Sequence, residues 1–365
     1  MKPSLTGASG VDVSVTVCAP TSCAAPSVTN AKQSIAKTRR REARAIIRNM
    51  DLDVFLKPSL HIVLGKGGVG KTTVSGALAV MAAESGRDTL ICETEGKSGL
   101  GSIFGRGGLN FEEDQLAKGI WARTIWPDDA LVEYMADHGM TRFSRLLVKT
   151  NVLEYVATAI PGIKDVLVLG KIKQVVKGSR AEERSYKTVV VDAPAAGHAI
   201  TFLTSAAGIV NAVRVGPIRD QALDVIGLLE SESTVVHLVT IPEETPVNEA
   251  VETAEALRER VGCRLGVIFV NGCYPHAAEA IEAEEIESLS KGLGVEINPD
   301  LALAMEAANE FMLDRYALQQ SQRERLSRML DLPQIELPFI FNADFGRTEL
   351  ETLAGAMADA ISGAP

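Results

Sequence analysis

The stretch GKGGVGKTT at residues 65–73 decides the fold, because its glycines separate an apolar run from a helical segment. The preceding run, SLHIVLG at residues 59–65, is short and rich in branched residues, which predicts a buried strand. The following stretch, TTVSGALAVMAAES at residues 72–85, has helical composition and precedes Gly86, a predicted helix cap. A glycine-rich loop between a strand and a helix is the setting in which many proteins bind phosphate groups.

The loop matches the pattern G-x-x-x-x-G-K-[ST] from Gly65 to Thr72. Its backbone N–H groups can surround a phosphate, and glycine is needed because a side chain would block the approach of the backbone. We expect Lys71 to reach the β- and γ-phosphates and the Thr72 hydroxyl to hold Mg²⁺. The sequence therefore predicts a nucleotide site with magnesium. The predicted phosphate-binding residues are Gly65, Lys66, Gly67, Gly68, Val69, Gly70, Lys71, Thr72 and Thr73.

Lys66 is an additional lysine, placed directly after the first glycine of the loop. A side chain at this position would leave its own loop and extend across the phosphates towards a nucleotide bound to a facing subunit. An arginine finger supplied by a partner protein stabilises a transferring phosphoryl group in the same way. Lys66 therefore predicts a homodimer that encloses nucleotide between its subunits. The alternative is an exposed lysine that attracts anions.

Strands alternate with helices along the chain, and several strands are continuous apolar runs, such as YKTVVVDAPAAGH at residues 186–198. This pattern predicts an α/β fold with a doubly wound, mostly parallel sheet that is covered on both faces. Helical insertions near residues 128–180 and 276–328 are expected beside the sheet or over its edge as an appended helical subdomain. The second insertion is expected to break at Asn298-Pro299.

The composition excludes several classes of function. A formal net charge of -10 argues against a sequence-specific nucleic-acid partner, and no apolar run is long enough to span a bilayer. The five cysteines contain no C-x-x-C pair, so neither a zinc site nor a disulfide framework is predicted. Scattered cysteines are typical of a reducing compartment, and Cys92 and Cys263 are expected in the core. We therefore expect a cytoplasmic protein that is at most peripheral to a membrane.

Residues 1–49 differ in composition from the rest of the chain. They are rich in Ser, Thr, Ala and Val, contain only Asp12 and Glu42 as acids, and end in the basic run KTRRREARAIIR. This composition is typical of a disordered basic arm or of a transit-like peptide. A third interpretation is that translation begins at Met50. Residues 50–365 are predicted to form the nucleotide-binding domain.

The loop resembles the deviant Walker A loop of the family that contains the arsenite-pump ATPase, the ATPase that targets tail-anchored proteins, and the division and partition ATPases. Four further stretches resemble the first two branches. VVVDAPAAGHAITFL at residues 189–203 is similar to their switch II segment, and IPGIKDVLVLGKI at residues 160–172 to the I-P-G segment before it. VIFVNG at residues 267–272 is similar to the adenine-binding V-N-Q segment, and IELPFI at residues 335–340 to a later L-P strand end. The resemblance is strongest to bacterial members of unsettled role.

This resemblance implies a P-loop NTPase fold and a set of site residues. Lys66 would act across the dimer, and Asp192 would hold a water bound to Mg²⁺. Glu243, Asn271 and Pro338 would lie at the nucleotide. Each follows a predicted strand at its carboxyl end, where open α/β sheets bind ligands. An asparagine amide can both donate to and accept from an adenine edge, although Asn271 could instead be a turn residue before Gly272.

Switch I departs from the family pattern. The family has D-P-A-H-S-L-S-D, and its first aspartate positions the attacking water, whereas this chain has EGKSGLGS at residues 95–102. Glu95 stands opposite that aspartate, and its longer side chain could still orient water. Glu93 is the second candidate, because alternation along a strand places it on the same side. A surface carboxylate at a strand end is the alternative for both. His198, in switch II, is expected either to sense the γ-phosphate or to make a structural hydrogen bond.

The resemblance also implies a client, but the sequence does not specify one. Residues 204–233 are predicted to form one modest helical stretch, without the methionine-rich insertion of the tail-anchored branch. No cysteine pair is suited to arsenite. We expect Mg²⁺-dependent ATP hydrolysis by a homodimer or a heterodimer of paralogues, coupled to an unidentified client or membrane partner. The alternatives are a nucleotide-gated scaffold with little turnover and a partition-type ATPase. The last would need a basic C-terminal helix, which residues 346–361 do not supply.

Overall fold

The computed structural model describes residues 51–94, 99–139, 162–178, 184–276 and 279–363. The predicted basic arm, Glu95 and the I-P part of the I-P-G segment lie outside the described residues. Within these ranges, none of the helices combines the length and the apolar character that crossing a bilayer requires.

In the described part of the chain, an eight-stranded sheet forms the centre of the fold, with its strands in the order β3-β4-β2-β5-β1-β6-β7-β8. All neighbouring strands are parallel except β3 and β4, which confirms the predicted doubly wound, mostly parallel sheet. The strands are β1 (Leu60–Gly65), β2 (Thr89–Glu93), β3 (Asp114–Ala117), β4 (Ile120–Thr124), β5 (Thr188–Ala195), β6 (Thr234–Thr240), β7 (Leu265–Cys273) and β8 (Gln334–Pro338).

Helices cover both faces of the sheet. The helices are α1 (Leu52–Phe55), α2 (Lys71–Glu84), α3 (Gly99–Ile103), α4 (Pro127–Asp137), α5 (Ile163–Lys177), α6 (Ala196–Ala212), α7 (Pro217–Leu229), α8 (Glu244–Arg260), α9 (Ala283–Gly292), α10 (Pro299–Met329) and α11 (Arg347–Ser362). One apolar core lies between the sheet and α2, α3 and α11, and the other between the sheet and α4 to α8. Both faces of the central strands are therefore buried, which explains why these strands are continuous apolar runs.

Two local features differ from the sequence-based expectations. Strand β3 was not predicted, because it is a short edge strand of mixed polarity; it pairs with β4 through a turn in which Gly119 has a φ of 76°. The stretch at residues 204–233 forms two helices rather than one. They are separated at Gly216, whose φ is 116°, and Pro217 begins the second helix because proline fits the first helical turn.

The second helical insertion breaks where the sequence predicts. Asn298 caps α10 by accepting a hydrogen bond from the backbone N–H of Leu301 at 2.7 Å. With 31 residues, α10 is the longest described helix, about 46 Å at 1.5 Å per residue. Buried Gln319 attaches it to the sheet, donating to the Gly272 carbonyl at 3.0 Å and accepting from the Tyr274 N–H at 2.8 Å.

A pair of buried histidines connects β1, β6 and β7. The N–H of Val267 donates to Nδ1 of His237 at 3.2 Å, so the proton of His237 is on Nε2 and donates to Nδ1 of His61 at 3.1 Å. Nε2 of His61 then donates to the Pro58 carbonyl at 3.0 Å. Burial lowers the pKa of His61 to about 4 and lowers the pKa of His237 well below its ordinary value. Both rings are therefore neutral in the folded protein.

Candidate functional site

The glycine-rich loop lies at the carboxyl edge of the sheet, between β1 and the first turn of α2. Gly68 and Gly70 have φ values of 86° and 91°, a conformation that favours glycine. A Cβ atom on Gly65 would lie 2.3 Å from the Val239 carbonyl oxygen, and one on Gly70 would lie 2.3 Å from Nδ2 of Asn271. Neighbouring strands therefore exclude side chains at both glycines.

The first turn of α2 contacts the end of β5. Thr72 Oγ1 donates to Asp192 Oδ2 at 2.6 Å, and Asp192 lies beside Val63 of β1 in the sheet register. Mg²⁺ sites of this kind use one or two protein oxygens and fill the remaining positions with water and phosphate oxygens. A hydroxyl next to a carboxylate fits that requirement. Within the described ranges, no cluster of three or more His, Cys, Asp or Glu residues offers a metal site made of protein ligands alone.

The two lysines of the loop both contact groups of their own chain. Lys71 Nζ donates to the Lys66 carbonyl at 3.2 Å. Lys66 Nζ forms an ion pair with Glu249 Oε1 of α8 at 2.5 Å, and each of these two side chains is about one third exposed, at 35% and 36%. The sequence predicted that the Lys66 side chain leaves its own loop towards a facing subunit. In this single chain the ammonium group of Lys66 contacts α8 instead.

A cavity of about 310 Å³ adjoins the loop, and residues that the sequence predicted at strand ends line it. Its walls include Glu243 after β6, Asn271 of β7 and Pro338 of β8. Asn271 Nδ2 donates to the Val69 carbonyl at 2.9 Å, so this amide joins the cavity to the loop. The structure thus brings together the three residues that were predicted separately from strand ends.

Further cavity residues were missed by the sequence analysis. The rings of Tyr274 and Phe339 stack with their centroids 5.0 Å apart, and both line the cavity. Arg315 of α10 pairs with Glu243 at 3.5 Å and lies 5.7 Å from the centre of the Tyr274 ring. Tyr274 and Phe339 directly follow the ends of β7 and β8, next to or within stretches that the sequence analysis had already singled out. Arg315 comes from a distant helix, so no local pattern indicated it.

Glu93 is a buried carboxylate next to the candidate Mg²⁺ residues. It accepts from the Leu100 N–H at 3.3 Å and from Thr124 Oγ1 at 3.2 Å, and it lies beside Asp192 in the sheet register. Burial is the main reason that the pKa of Glu93 is raised to about 7; the Leu100 N–H opposes this shift and the charge of Asp192 adds to it. Glu95 follows two residues later, outside the described residues, and its role stays a prediction.

The remaining predicted residues have ordinary surroundings. His198 is exposed in the first turn of α6 and lies near Asp165 of α5, whose pKa is raised by burial. Cys92 and Cys263 are buried in the core, as expected, and Cys273 is buried as well.

Comparison with known proteins identifies the family. A family model described as anion-transporting ATPase matches residues 60–215, which contain β1, the loop and the Thr72–Asp192 pair. ATPase BagA of Mycobacterium tuberculosis is 32% identical over 301 residues, covering 77% of this chain and 87% of that protein. ATPase GET3 of Chaetomium globosum is 25% identical over 339 residues, covering 84% of this chain and 95% of that protein. With its loop, its sheet and these relatives, the chain belongs to the anion-transporting ATPase family.

Proposed function

We propose that this protein hydrolyses ATP in a Mg²⁺-dependent reaction, as a dimer that encloses nucleotide, and uses the cycle to act on a client or membrane partner. The observation that carries the proposal is the Thr72–Asp192 hydrogen bond of 2.6 Å at the first turn of the α2 helix. It sets a hydroxyl and a carboxylate beside a loop shaped for phosphates. The family relationship and the adjoining cavity support the same assignment.

The loop would bind the phosphates of ATP, and the cavity would bind its base. Backbone N–H groups of residues 65–73 and the N-terminus of α2 would bind the phosphates. Lys71 would exchange the Lys66 carbonyl for phosphate oxygens, because a triphosphate offers a stronger acceptor for an ammonium group. Asn271 would bind the base through the oxygen of its amide and through one N–H of its nitrogen, since the other N–H donates to the Val69 carbonyl. Tyr274 and Phe339 would provide an apolar surface for the ring.

Hydrolysis would rest on positioning and charge stabilisation rather than on a covalent intermediate. Bound Mg²⁺ would neutralise charge on the phosphates, and Thr72, together with a water held by Asp192, would bind it. Glu95 is the proposed residue that orients the attacking water. Glu93 is the second candidate, and its raised pKa of about 7 would let it accept a proton near neutrality. Lys66 of a facing subunit would stabilise charge on the γ-phosphate.

Loss of the γ-phosphate would then relax the switch segments after Glu95 and Asp192. The dimer interface and any bound client would change with them. The dimer would be either two copies of this chain or this chain with a paralogue. A direct partition-type role has less support, because the apolar side of α11 is buried against α2, with Leu350, Leu353 and Met357 inaccessible to a membrane.

A nucleotide-gated scaffold with little turnover is the second candidate function. The glutamate at switch I favours it, since the extra methylene changes the distance between the carboxylate and an attacking water. The hydrogen bonds that Glu93 accepts from Leu100 and Thr124 also favour a scaffold, because they restrain the second candidate carboxylate.

Phosphate release by the full chain with ATP and Mg²⁺ distinguishes the two functions. For an ATPase we expect turnover that Glu95→Ala and Lys66→Ala both reduce by at least tenfold, while Lys118→Ala, which alters an exposed lysine, does not. ATP binding without phosphate release would support the scaffold. Turnover that Lys66→Ala leaves intact would remove the dimer mechanism, as would a protein that stays monomeric with a non-hydrolysable ATP analogue.

A further inference from the structure

The Lys66–Glu249 ion pair connects the loop to the second turn of α8. The two residues are 183 positions apart in sequence, and their charged groups are 2.5 Å apart. Glu249 therefore occupies the ammonium group that, in the proposed function, must reach the partner's nucleotide. The carboxylate of Glu249 partly neutralises the ammonium group, so this contact has to break before Lys66 can give its full charge to a phosphate of a second copy.

The glutamate is the stationary member of this pair. Pro246, Val247, Ala250 and Val251 bury the adjacent side of α8 against the core. Asn248, the residue before Glu249, accepts a hydrogen bond from Arg325 of α10 at 2.6 Å. The lysine, in contrast, projects from a loop on four rotatable side-chain bonds. When the pair separates, we therefore expect the lysine to move and α8 to stay in place.

We propose that Glu249 is a positioning residue that holds Lys66 on its own chain until a triphosphate on a second copy displaces it. This inference rests on the proposed dimer. Glu249 adds a free-energy cost to dimer formation, because each protomer must break one ion pair before its lysine can reach the nucleotide of the second copy. ATP overcomes this cost through the charge of its γ-phosphate, which ADP lacks. Isolated protomers and ADP-bound protomers are thereby kept apart.

The test compares Glu249→Gln with Glu252→Gln in the full chain. Glu252 lies one turn further along α8, is exposed, and serves as a matched control for loss of one negative charge. We expect Glu249→Gln to lower the protein concentration for half-maximal dimerisation with a non-hydrolysable ATP analogue by about five- to thirtyfold, since each dimer would break two part-exposed ion pairs. Analytical ultracentrifugation measures this concentration, and we expect no dimer with ADP.

An unchanged or higher half-maximal concentration in Glu249→Gln would overturn the proposal. A higher value, matching that of Lys66→Ala, would mean that Glu249 presents the lysine for assembly rather than holding it back. Glu252→Gln producing the same decrease would also overturn it, because the effect would then be one of net charge.

A second measurement separates this inference from the proposed function. Reductive methylation followed by mass spectrometry reports the reactivity of the Lys66 amine in the nucleotide-free protein. We expect severalfold faster modification of Lys66 in Glu249→Gln than in the wild type or in Glu252→Gln. Equal rates would overturn the inference whatever the ATPase assay shows. Faster modification in a protein that neither dimerises nor hydrolyses ATP would refute the proposed function, while confirming that Glu249 holds the lysine.

Discussion

Thr72 Oγ1 donates a hydrogen bond of 2.6 Å to Asp192 Oδ2 and so joins the first turn of α2 to β5. These two side chains are 120 residues apart in sequence, yet they form the oxygen pair that fits Mg²⁺. The contact is the structural basis for expecting that phosphate binding at α2 and the conformation after β5 depend on each other.

Asp192→Asn should weaken binding of ATP with Mg²⁺ by about 10- to 100-fold. An amide lacks the negative charge of the carboxylate and holds a metal-bound water less strongly. Calorimetry with ATP and Mg²⁺, compared with calorimetry with ATP and EDTA, measures how much of the affinity for ATP depends on the metal. Asp331→Asn changes an exposed aspartate and should match the wild type. An unchanged Mg²⁺ dependence in Asp192→Asn would exclude Asp192 from the metal site.

Gly70→Ala should abolish nucleotide binding for two reasons. The new Cβ would lie 2.3 Å from Nδ2 of Asn271, and the alanine would have to adopt a φ of 91°. Gly86→Ala is the matched control. Gly86 also has a positive φ, of 74°, but nothing lies within 4 Å of a Cβ there. It should lose only about 1–2 kcal/mol of stability from backbone strain and keep its affinity for ATP. Equal affinities in both variants would contradict this account of the loop.

Phe339→Ala should weaken ATP binding by about 5- to 150-fold, since stacking of a base on an aromatic ring contributes about 1–3 kcal/mol. The same variant should bind inorganic tripolyphosphate as the wild type does, because Phe339 follows β8 and is not part of the phosphate loop at residues 65–73. Competition of both ligands against a fluorescent nucleotide measures this difference. Phe311→Ala, at an exposed site on α10, is the control. Parallel losses for both ligands would mean that Phe339 supports the loop instead.

Acid should destabilise the protein through the buried histidine pair. Because the folded-state pKa of His61 is lowered to about 4, the unfolded chain binds more protons as pH falls below about 6.5. The stabilisation is present above pH 6.5 and about 3 kcal/mol of it is lost between pH 6.5 and 4. Urea unfolding across this range should show a shallower decline for His61→Gln than for the wild type. His138→Gln, at an exposed position, should leave the decline unchanged.

Glu93 should produce a pH dependence of opposite sign. Its folded-state pKa is raised to about 7, so the folded protein holds a proton that the unfolded chain releases above about 4.5. This stabilisation is fully present below pH 4.5 and is lost as pH rises through 7. In the absence of nucleotide and Mg²⁺, Glu93→Gln should therefore gain stability relative to the wild type as pH increases from 5 to 8. A constant difference between the two proteins over this range would contradict the raised pKa.

The loop, the parallel sheet and the strand-end position of the site were predictable from the sequence, because they depend on local patterns. Runs of apolar residues specify buried strands, and the pattern from Gly65 to Thr72 specifies a phosphate loop wherever a strand and a helix flank it. The break at Asn298-Pro299 was predictable for the same reason, since capping involves residues that are neighbours in sequence. Edge strand β3 was not, because its few polar residues resemble a loop until β4 supplies their hydrogen-bond partners.

Only the tertiary structure decided which groups the site residues contact. Asn271 donates to a carbonyl 202 residues away, and Lys66 pairs with a carboxylate 183 residues away. Such pairings follow from the order of strands in the sheet, and strand order depends on packing of the whole chain rather than on any one segment. The sequence alone thus determined the loop and its place between a strand and a helix, where we propose that phosphate binds. The folded chain determined that Lys66 rests on α8 and that Arg315 reaches the cavity from α10.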